Sequence, residues 1–527
     1  MEWGSDLRIG IDVGGTHTDA VLLDGDTVRA SHKALTSSDV IQGIIDALDA
    51  LTEQGTVAEQ IDAVMIGTTQ FTNAVIERRE LSQVAAVRLS LPAGRGLPPK
   101  VGWPDDIAEK LGDHAYELHG GYLYNGRALS SLVDGEVDAL IADLKKTGVR
   151  AIAITSAFSP MNAKPEQDLA NRITRELPDA RITMSHQIGR VGLLERENAA
   201  LLNAALLGFA DRVVDAFHGA IARFGITCPI FISQNDGTLM DVEFVRAYPA
   251  LTFASGPTNS LRGAAQLTGL KDAIVIDIGG TTSDIGILRG GFPRESNMVV
   301  EVGGVRTNFR MPDLLAIGLG GGSIVSEDGL QVGPQSVGHR LVTEGLVFGG
   351  KTLTTTDIIV AAGRAEIGDV AAVKHLSADT VSNGINKIKS ILETGVRKMK
   401  PSADPLPIIL VGGGAVLAPL TLAGGGEVLC PAHSGVANAI GAAIAQIGGE
   451  AERFVNYAEA GRDKAIADVT QDARSIALKA GADPATIRVN DIEEIAIPYM
   501  DAGAMRVRVK VVGDVAALSG RTEGASL

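Results

Sequence analysis

The amino-acid sequence predicts an α/β protein made of two related lobes around a cleft. Three observations carry this reading. A glycine-rich turn motif occurs twice, half a chain apart. Apolar, strand-like runs are mixed with helix-length segments along the chain, and a further glycine run closes an apolar strand-like run in the second half.

The repeat comes first. Residues 9–22 read IGIDVGGTHTDAVL and residues 274–287 read IVIDIGGTTSDIGI. Aligned without a gap, Asp12 meets Asp277, Gly14 meets Gly279, Gly15 meets Gly280, Thr16 meets Thr281 and Asp19 meets Asp284. Thr18 faces Ser283, which keeps the hydroxyl. Apolar residues on both sides of each Gly-Gly pair predict two strands joined by a hairpin.

Around the first copy, the pattern predicts a strand near 28–34, a helix near 38–53, a strand at 61–66 and a helix starting near Thr72. Around the second, strands run to about residue 305, followed by helices near 356–364 and 379–400. Strand 407–411 and helix 435–448 close that half. The long apolar segment at 191–223 predicts a helix passing between the halves. After about residue 450, a helix at 471–481 and strands at 494–498 and 504–512 read as a small terminal appendage. The expected division is therefore 1–190, 191–450 and 451–527.

Composition narrows the function. The 527 residues suffice for several domains, and a hydrophobic fraction of 45% is too apolar for disorder. A net charge of −16 argues against a protein that holds nucleic acid by neutralising phosphates. Cys228 and Cys430 form neither a disulfide framework nor a zinc spacing, which suits a reducing compartment. The N-terminus shows no secretory pattern, and no apolar run approaches the ~20 residues that cross a bilayer. A soluble, cytoplasmic protein is expected.

Each Asp-x-Gly-Gly-Thr turn has a chemical use. Glycines let backbone N–H groups approach an anion, and the hydroxyls of Thr16, Thr18, Thr281, Thr282 and Ser283 add donors. Asp12 and Asp277, at strand ends, can hold a metal ion directly or through water. One such turn is equally a plain hairpin, but hairpin chemistry alone does not require the same Asp and hydroxyls twice. Gly412-Gly413-Gly414, after the strand-like run IILV, can bring backbone against a flat ligand or serve as a tight turn. Gly320-Gly321-Gly322 lacks the P-loop ending and the dinucleotide spacing, and reads as either a phosphate-side nest or a loop.

Together, Asp12–Asp19, Asp277–Asp284 and Gly412–Gly414 resemble the phosphate 1, phosphate 2 and adenosine elements of the actin, sugar kinase and heat-shock chaperone ATPase superfamily. Within it, the chain resembles the hydantoinase A/oxoprolinase family. The segment GTTQFTNAVIERR at 67–79, Glu195-Arg196 followed by Asn203-Ala204, SGP at 255–257, GGGSI at 320–324, VGP at 332–334 and Thr356-Asp357 carry that resemblance, which spans roughly residues 8–445. It implies a duplicated actin-like (ribonuclease H-like) ATPase fold, ATP and Mg²⁺ as cofactors, and a second hydantoinase B-type subunit in an oligomeric enzyme. It further implies hydrolysis of ATP coupled to opening of a hydantoin, 5-oxoproline or lactam ring, or the ATPase role in a ketone carboxylase. An amide carbonyl is a poor electrophile, and phosphorylating its oxygen creates a leaving group. By the same comparison Asp277 orients or deprotonates the attacking group, with Asp12 as its metal-side partner.

The chain also departs from the family. Ile66 stands where a histidine usually precedes GTT, and Glu197-Asn198-Ala199-Ala200 replaces the usual threonines. These changes leave the glycine loops intact and bear on the substrate. Gly67-Thr68-Thr69 and Asn73 read as cleft donors or as an ordinary helix cap, and Glu195-Arg196 as a cleft ion pair or a solvated pair. Arg78 and Arg79 are expected at the surface. His17 can reach a phosphate or sit exposed in its turn, and His114 and His119 have a poor metal spacing. The rival functions are a nucleotide-dependent switch without catalysis and a sugar kinase, for which no separate sugar motif is visible.

Overall fold

Both copies of the repeat fold as the hairpins their apolar flanks predict. The computed structural model describes residues 7–14, 17–35, 40–54, 60–296, 299–497 and 503–516. Leu7–Val13 pairs antiparallel with His17–Asp24, placing Asp12 opposite Asp19 and Val13 opposite Thr18. Ala273–Ile278 pairs with Ser283–Arg289 in the same register, Asp277 opposite Asp284 and Ile278 opposite Ser283. The turns close alike, Gly14 N–H donating to the His17 carbonyl at 3.0 Å and Gly279 N–H to the Thr282 carbonyl at 2.9 Å. Each first strand then takes a parallel neighbour, Ala63–Thr68 in one lobe and Ile408–Val411 in the other. Both neighbours are buried along their whole length, as strands of covered parallel sheets are.

The first-lobe sheet has nine strands and does not follow the sequence halves. Beyond Ala63–Thr68 it continues through Ile230–Ser233, Thr238–Asp241, Gln446–Asn456, Ala504–Gly513 and Arg488–Ala496. The strands of the segment expected as a terminal appendage are thus hydrogen-bonded into this sheet. Its helix is Arg462–Lys479, longer than the expected 471–481. The helix expected at 435–448 is shorter, Ala437–Ala443, and the chain turns into a strand at Gln446. The reason lies in Gly449. A Cβ there would fall 2.2 Å from the Ala473 carbonyl oxygen, so this glycine lets helix Arg462–Lys479 lie on the strand. Apolar Gly/Ala-rich sequence carries too little periodicity to show that change.

A third layer was not legible as a separate unit. Ala115–His119, Val84–Leu91, Ala151–Ser156 and Arg181–Met184 form a four-stranded parallel sheet. Helices Asp134–Thr147 and Lys164–Glu176 cover it through Leu140, Leu144, Leu169 and Ile173.

The long helix, Leu193–Ala222, matches the expected span but not the expected place. It packs against this four-stranded sheet, helix Val40–Glu53 and strand Val305–Thr307, rather than between the two repeats. Its first half, Arg196–Leu207, is buried all round by these neighbours, whereas its second half keeps one face exposed with Arg212, Asp215 and His218. The second departure from the family pattern, Glu197-Asn198-Ala199-Ala200, lies here, whereas Ile66 lies in strand Ala63–Thr68. Glu197, 2% exposed, takes a two-pronged ion pair from Arg88, 1% exposed, with Nε to Oε1 at 2.8 Å. Asn198 accepts from the Trp103 indole at 2.8 Å and donates to the Arg306 carbonyl. Glu197→Leu alone should destabilise the protein by about 3–5 kcal/mol, because it strands a buried guanidinium. Combined with Arg88→Met it should recover most of that loss, measured as denaturant midpoints of the four proteins in the cycle.

The lobes meet through two other helices. Ser255–Thr268 packs on strands of both lobes and crosses Ala437–Ala443. A Cβ at Gly263 would lie 1.8 Å from the Ala437 carbonyl oxygen, and one at Gly441 1.8 Å from that of Asn259. The two helix backbones therefore touch. Among the described residues, no helix is long and apolar enough to cross a membrane.

Candidate functional site

The parallel strands of each lobe deliver their carboxylates to the end from which the hairpin loops project. Asp12 is 3% exposed, and its two oxygens accept from Asn259 at 3.3 Å and Asn438 at 3.0 Å. Asp277 accepts from the Ser260 hydroxyl at 2.5 Å. Asn259 and Ser260 are adjacent in the helix that joins the lobes, so one turn of helix holds the carboxylate of each repeat. Asn438 sits on the helix that crosses it. Gly67 fits between Asp12 and Asn259, for a Cβ there would come within 2.3 Å of each side chain.

The charge balance is strained. Burial pushes the Asp12 carboxyl up to about 6, with Asp19 and Asp277 adding repulsion against the hydrogen bonds from Asn259 and Asn438. Burial also raises Asp277, opposed by the Ser260 hydroxyl and the charge of Lys33. Asp284 is pushed to about 7 by burial and by Asp277. Asp19 is treated differently from its repeat mate, forming an ion pair with Lys33 at 2.5 Å. Without a bound cation, these carboxylates cost the fold stability once they ionise. A carboxyl whose native value lies above its ordinary 3.8 destabilises progressively as pH rises through that interval. Asp12→Asn should therefore stabilise the ligand-free protein by about 1–2 kcal/mol at pH 7.5, the relief of a two-unit shift less one hydrogen bond. At pH 4 the same substitution should be neutral or destabilising, since Asp12 is then protonated; thermal melts of both proteins at the two pH values check this.

The predicted donors fall into distinct groups. Gly15 and Thr16 lie outside the described residues. Gly14 closes the first turn. Thr18 is fully buried, its hydroxyl turned toward Gly43 of helix Val40–Glu53. Ser283 is likewise buried and donates to the Leu319 carbonyl at 2.5 Å. Thr281 and Thr282 are exposed at the second turn. Gly279 and Gly280 turn their carbonyls away from the opening, accepting the N–H groups of Gly321 and Gly322 at 3.0 and 2.7 Å. Gly320 donates to Ser323, so Gly320-Gly321-Gly322 underpins the second turn with all three N–H groups bonded within the protein. Thr355 and Thr356 hold the carbonyls of that run from behind.

Gly412-Gly413-Gly414 follows strand Ile408–Val411, beside Asp277. Gly412 has φ +86°, and a Cβ on it would lie 2.2 Å from Asp277 Oδ1. Gly414 N–H donates to the Ile278 carbonyl at 2.7 Å. Gly413 is exposed and opens onto free space. The run ends in the single 3₁₀ turn Ala415–Leu417.

Several side chains were missed or read differently. Asn259, Ser260, Asn438 and Lys33 were not singled out, although SGP at 255–257 marks the start of the helix that carries the first two. Thr68 and Thr69 pack against the first hairpin, Thr69 Oγ1 donating to the Val13 carbonyl at 3.3 Å, and Asn73 contacts Thr69 Oγ1. Arg196 is neither a cleft cation nor a solvated one: it is 1% exposed and bonds Ser185 and the Ser156 carbonyl. Arg79 is exposed as expected, whereas Arg78 is largely buried and reaches Asp106 and the Gly303 carbonyl. His17 is half-buried, and burial and Lys33 hold its imidazole toward the neutral form. His119 pairs with Glu136 at 2.7 Å.

Asp12 and Asp277 suit a hard divalent cation. Asp12 is buried and Asp277 partly buried, desolvation raises both carboxyls, and Asn259 Oδ1 beside Asp12 has no hydrogen-bond partner. Among the described residues no group of three or more His, Cys, Asp or Glu forms a metal cage. That pattern fits Mg²⁺, which is typically held by one or two carboxylates together with phosphates and water.

Comparison with known proteins agrees with this geometry. Residues 8–177 match the hydantoinase/oxoprolinase N-terminal region and residues 196–400 match the hydantoinase/oxoprolinase domain. The chain is 27% identical over 395 residues to caprolactamase subunit alpha of Pseudomonas jessenii, covering 68% of the chain and 54% of that protein. It is 26% identical over 450 residues to the acetophenone carboxylase gamma subunit of Aromatoleum aromaticum, covering 78% and 58% respectively. The chain thus spans somewhat more than half the length of these relatives. The crystal structure of ATP-dependent caprolactamase from Pseudomonas jessenii superimposes with a TM-score of 0.75 at 20% identity, over 96% of this chain and 87% of that one. Nucleotide-free acetone carboxylase superimposes with a TM-score of 0.66 at 16% identity, over 97% and 88%. This chain belongs to the hydantoinase/oxoprolinase family, and its two-lobed fold is that of the ATP-dependent caprolactamase structure.

Proposed function

We propose that the chain is the nucleotide-handling subunit of a cytoplasmic, oligomeric enzyme that couples ATP hydrolysis to opening of a cyclic amide of the hydantoin, 5-oxoproline or lactam type. The observation that carries the reading is the convergence of Asp12 and Asp277 on neighbouring residues of one helix, Asn259 and Ser260. Two hairpin loops on opposite lobes then face one space, as a clamp on a polyphosphate requires.

In this reading Asp12 and Asp277 hold Mg²⁺, which when bound supplies positive charge beside the phosphates. The exposed hydroxyls of Thr281 and Thr282, with Gly15, Thr16 and Gly280, donate to phosphate oxygens, while Gly14 and Gly279, whose N–H groups close the turns, shape them. Gly413 offers backbone to the adenosine, Gly412 and Gly414 shaping that loop. Gly320-Gly321-Gly322, Thr18 and Ser283 keep the turns in shape from beneath. Lys33 holds Asp19 and adds a cation near Asp277. Asp277 orients the attacking group, and catalysis rests on positioning and charge stabilisation. The names of the relatives, subunits alpha and gamma, support a partner subunit, for which a hydantoinase B-type chain is the candidate.

The test is to produce the chain with such a partner and follow phosphate release and ring-opened product from hydantoins, 5-oxoproline and lactams. Product and phosphate rising together with one of these amides supports the reading. Phosphate release that answers only to a ketone with bicarbonate replaces it with the carboxylase role. That second reading is favoured by the acetophenone carboxylase match, which covers the larger share of this chain.

A further inference from the structure

The two repeats agree in the two strands of each hairpin and part at the strand beside it. Across the first lobe, Gly67, Asp12, Asp19 and Lys33 stand in one row on four neighbouring strands, the last of them Thr27–Leu35. Across the second lobe the same row reads Val411, Asp277, Asp284 and Ala316. Residues directly opposite on neighbouring strands share a face of the sheet, so Lys33 lies on the face that carries Asp12 and Asp19.

The paired carboxylates alone do not explain this lysine. If one were needed to offset two carboxylates side by side, Asp277 and Asp284 would need it as much as Asp12 and Asp19 do, yet their row ends in Ala316. Nor is Lys33 an ordinary edge lysine. Thr27–Leu35 is the last strand of the nine-stranded sheet, where a lysine in water commonly discourages pairing with another chain. This ammonium is instead folded onto the sheet face, 2.5 Å from Asp19 Oδ1 and 2.8 Å from Oδ2, and the side chain is 34% exposed.

Three loops meet around it. Asp19, its partner, stands opposite Asp12 in the first hairpin. Its charge reaches across the cleft, where among the described residues it is the one cation acting on Asp277 of the second hairpin. Its strand also packs on the turn Ser434–Val436, and the Ser434 carbonyl accepts the Gly412 N–H at 2.9 Å. Lys33 is therefore on the side of the clamp that adjoins Gly412–Gly414. An ammonium has three donors, and the two oxygens of Asp19 leave one for a further anion.

We propose that Lys33 donates to the phosphates nearest the adenosine, the pair common to ADP and ATP, and that Asp19 is the positioning residue that holds its ammonium over the cleft. This contact rests on the nucleotide reading and belongs to the same site. It explains why the cation occurs in one repeat only: the loops are duplicated, but a nucleotide has a single adenosine end.

The test is calorimetric titration of the full chain, alone and with its proposed partner, using Mg·ADP and the Mg complex of a non-hydrolysable ATP analogue. Lys33→Met/Asp19→Asn removes the pair without changing net charge, and should weaken both nucleotides by about 10–100-fold, as expected for loss of a charge-assisted hydrogen bond. Asp19→Asn alone, which keeps the ammonium and removes a competing anion, should bind both about two- to tenfold more tightly than the parent. Melting curves establish that each variant is folded. Binding in the double variant within about threefold of the parent would show that Lys33 only neutralises Asp19, and would overturn the assignment. Weaker binding in Asp19→Asn would overturn it too, as would a loss confined to the ATP analogue. No nucleotide binding to the parent in either state overturns the nucleotide reading and this contact together, whereas each of the other failures leaves that reading standing.

Discussion

Asp277→Asn is expected to lower ATP turnover by about 10²–10³-fold while changing nucleotide affinity by less than tenfold. The substitution keeps the shape of the side chain and can still accept from Ser260, so the hairpin and its register with Asp284 survive. On the proposed reading, what it removes is the negative charge that orients the attacking group and draws the metal. Steady-state phosphate release and calorimetry on the same preparation separate the two effects. If the chain were a switch without catalysis, this variant would retain whatever nucleotide-dependent behaviour the parent shows. If the carboxylate served only to cap its own turn, the loss would appear as a lower melting temperature rather than as lower turnover.

Gly412→Ala is expected to abolish nucleotide binding and to cost about 2–4 kcal/mol of stability, whereas Gly413→Ala should leave stability within about 0.5 kcal/mol. Gly412 has φ +86°, and its added methyl would fall 2.2 Å from Asp277 Oδ1 and 2.5 Å from the Ile278 carbonyl oxygen. Both neighbours belong to the second hairpin, so relief of the clash displaces the proposed metal-side carboxylate. Gly413 meets nothing within 4 Å, and a methyl there tests only the space offered to the ligand. Weakened nucleotide binding in a stable Gly413→Ala protein would place the adenosine against that residue. Melting curves and titrations of both variants distinguish damage to the fold from damage to the site.

The parts of the site that sequence revealed are those written as local strings. The duplicated Asp-x-Gly-Gly turn announced both hairpins, and the structure gives them one register, Asp12 opposite Asp19 and Asp277 opposite Asp284. Repeated local chemistry survives in sequence because each hairpin closes within its own eight residues. The supporting shell was not legible for the opposite reason. Asn259 and Asn438 reach Asp12 across 247 and 426 residues, and nothing in their surroundings states where their helices will cross. Lys33 looked like one more polar residue of an edge strand until pairing put it opposite Asp19.

The fold shows the same division. Alternating strands and helices gave the class, and the long helix kept its limits. Its neighbours were not readable, because a segment buried all round, as Arg196–Leu207 is, gives no sign of which layer covers which face. Glu197 and Asn198, odd as departures from the family pattern, make sense once Arg88 and Trp103 stand beside them. The start of strand Gln446–Asn456 was hidden by the alanine- and glycine-rich run 437–449 that leads into it, where Gly449 admits the close approach of helix Arg462–Lys479.

The central claim is that the two repeats form one nucleotide clamp. Calorimetric titration with Mg·ATP and Mg·ADP, on the parent chain and on Asp12→Ala/Asp277→Ala, tests it most directly. The account predicts micromolar binding with one nucleotide per chain in the parent, and loss of that binding in a double variant that melts no lower than the parent. Binding retained by the folded double variant, or none to the parent with or without the proposed partner subunit, would contradict it.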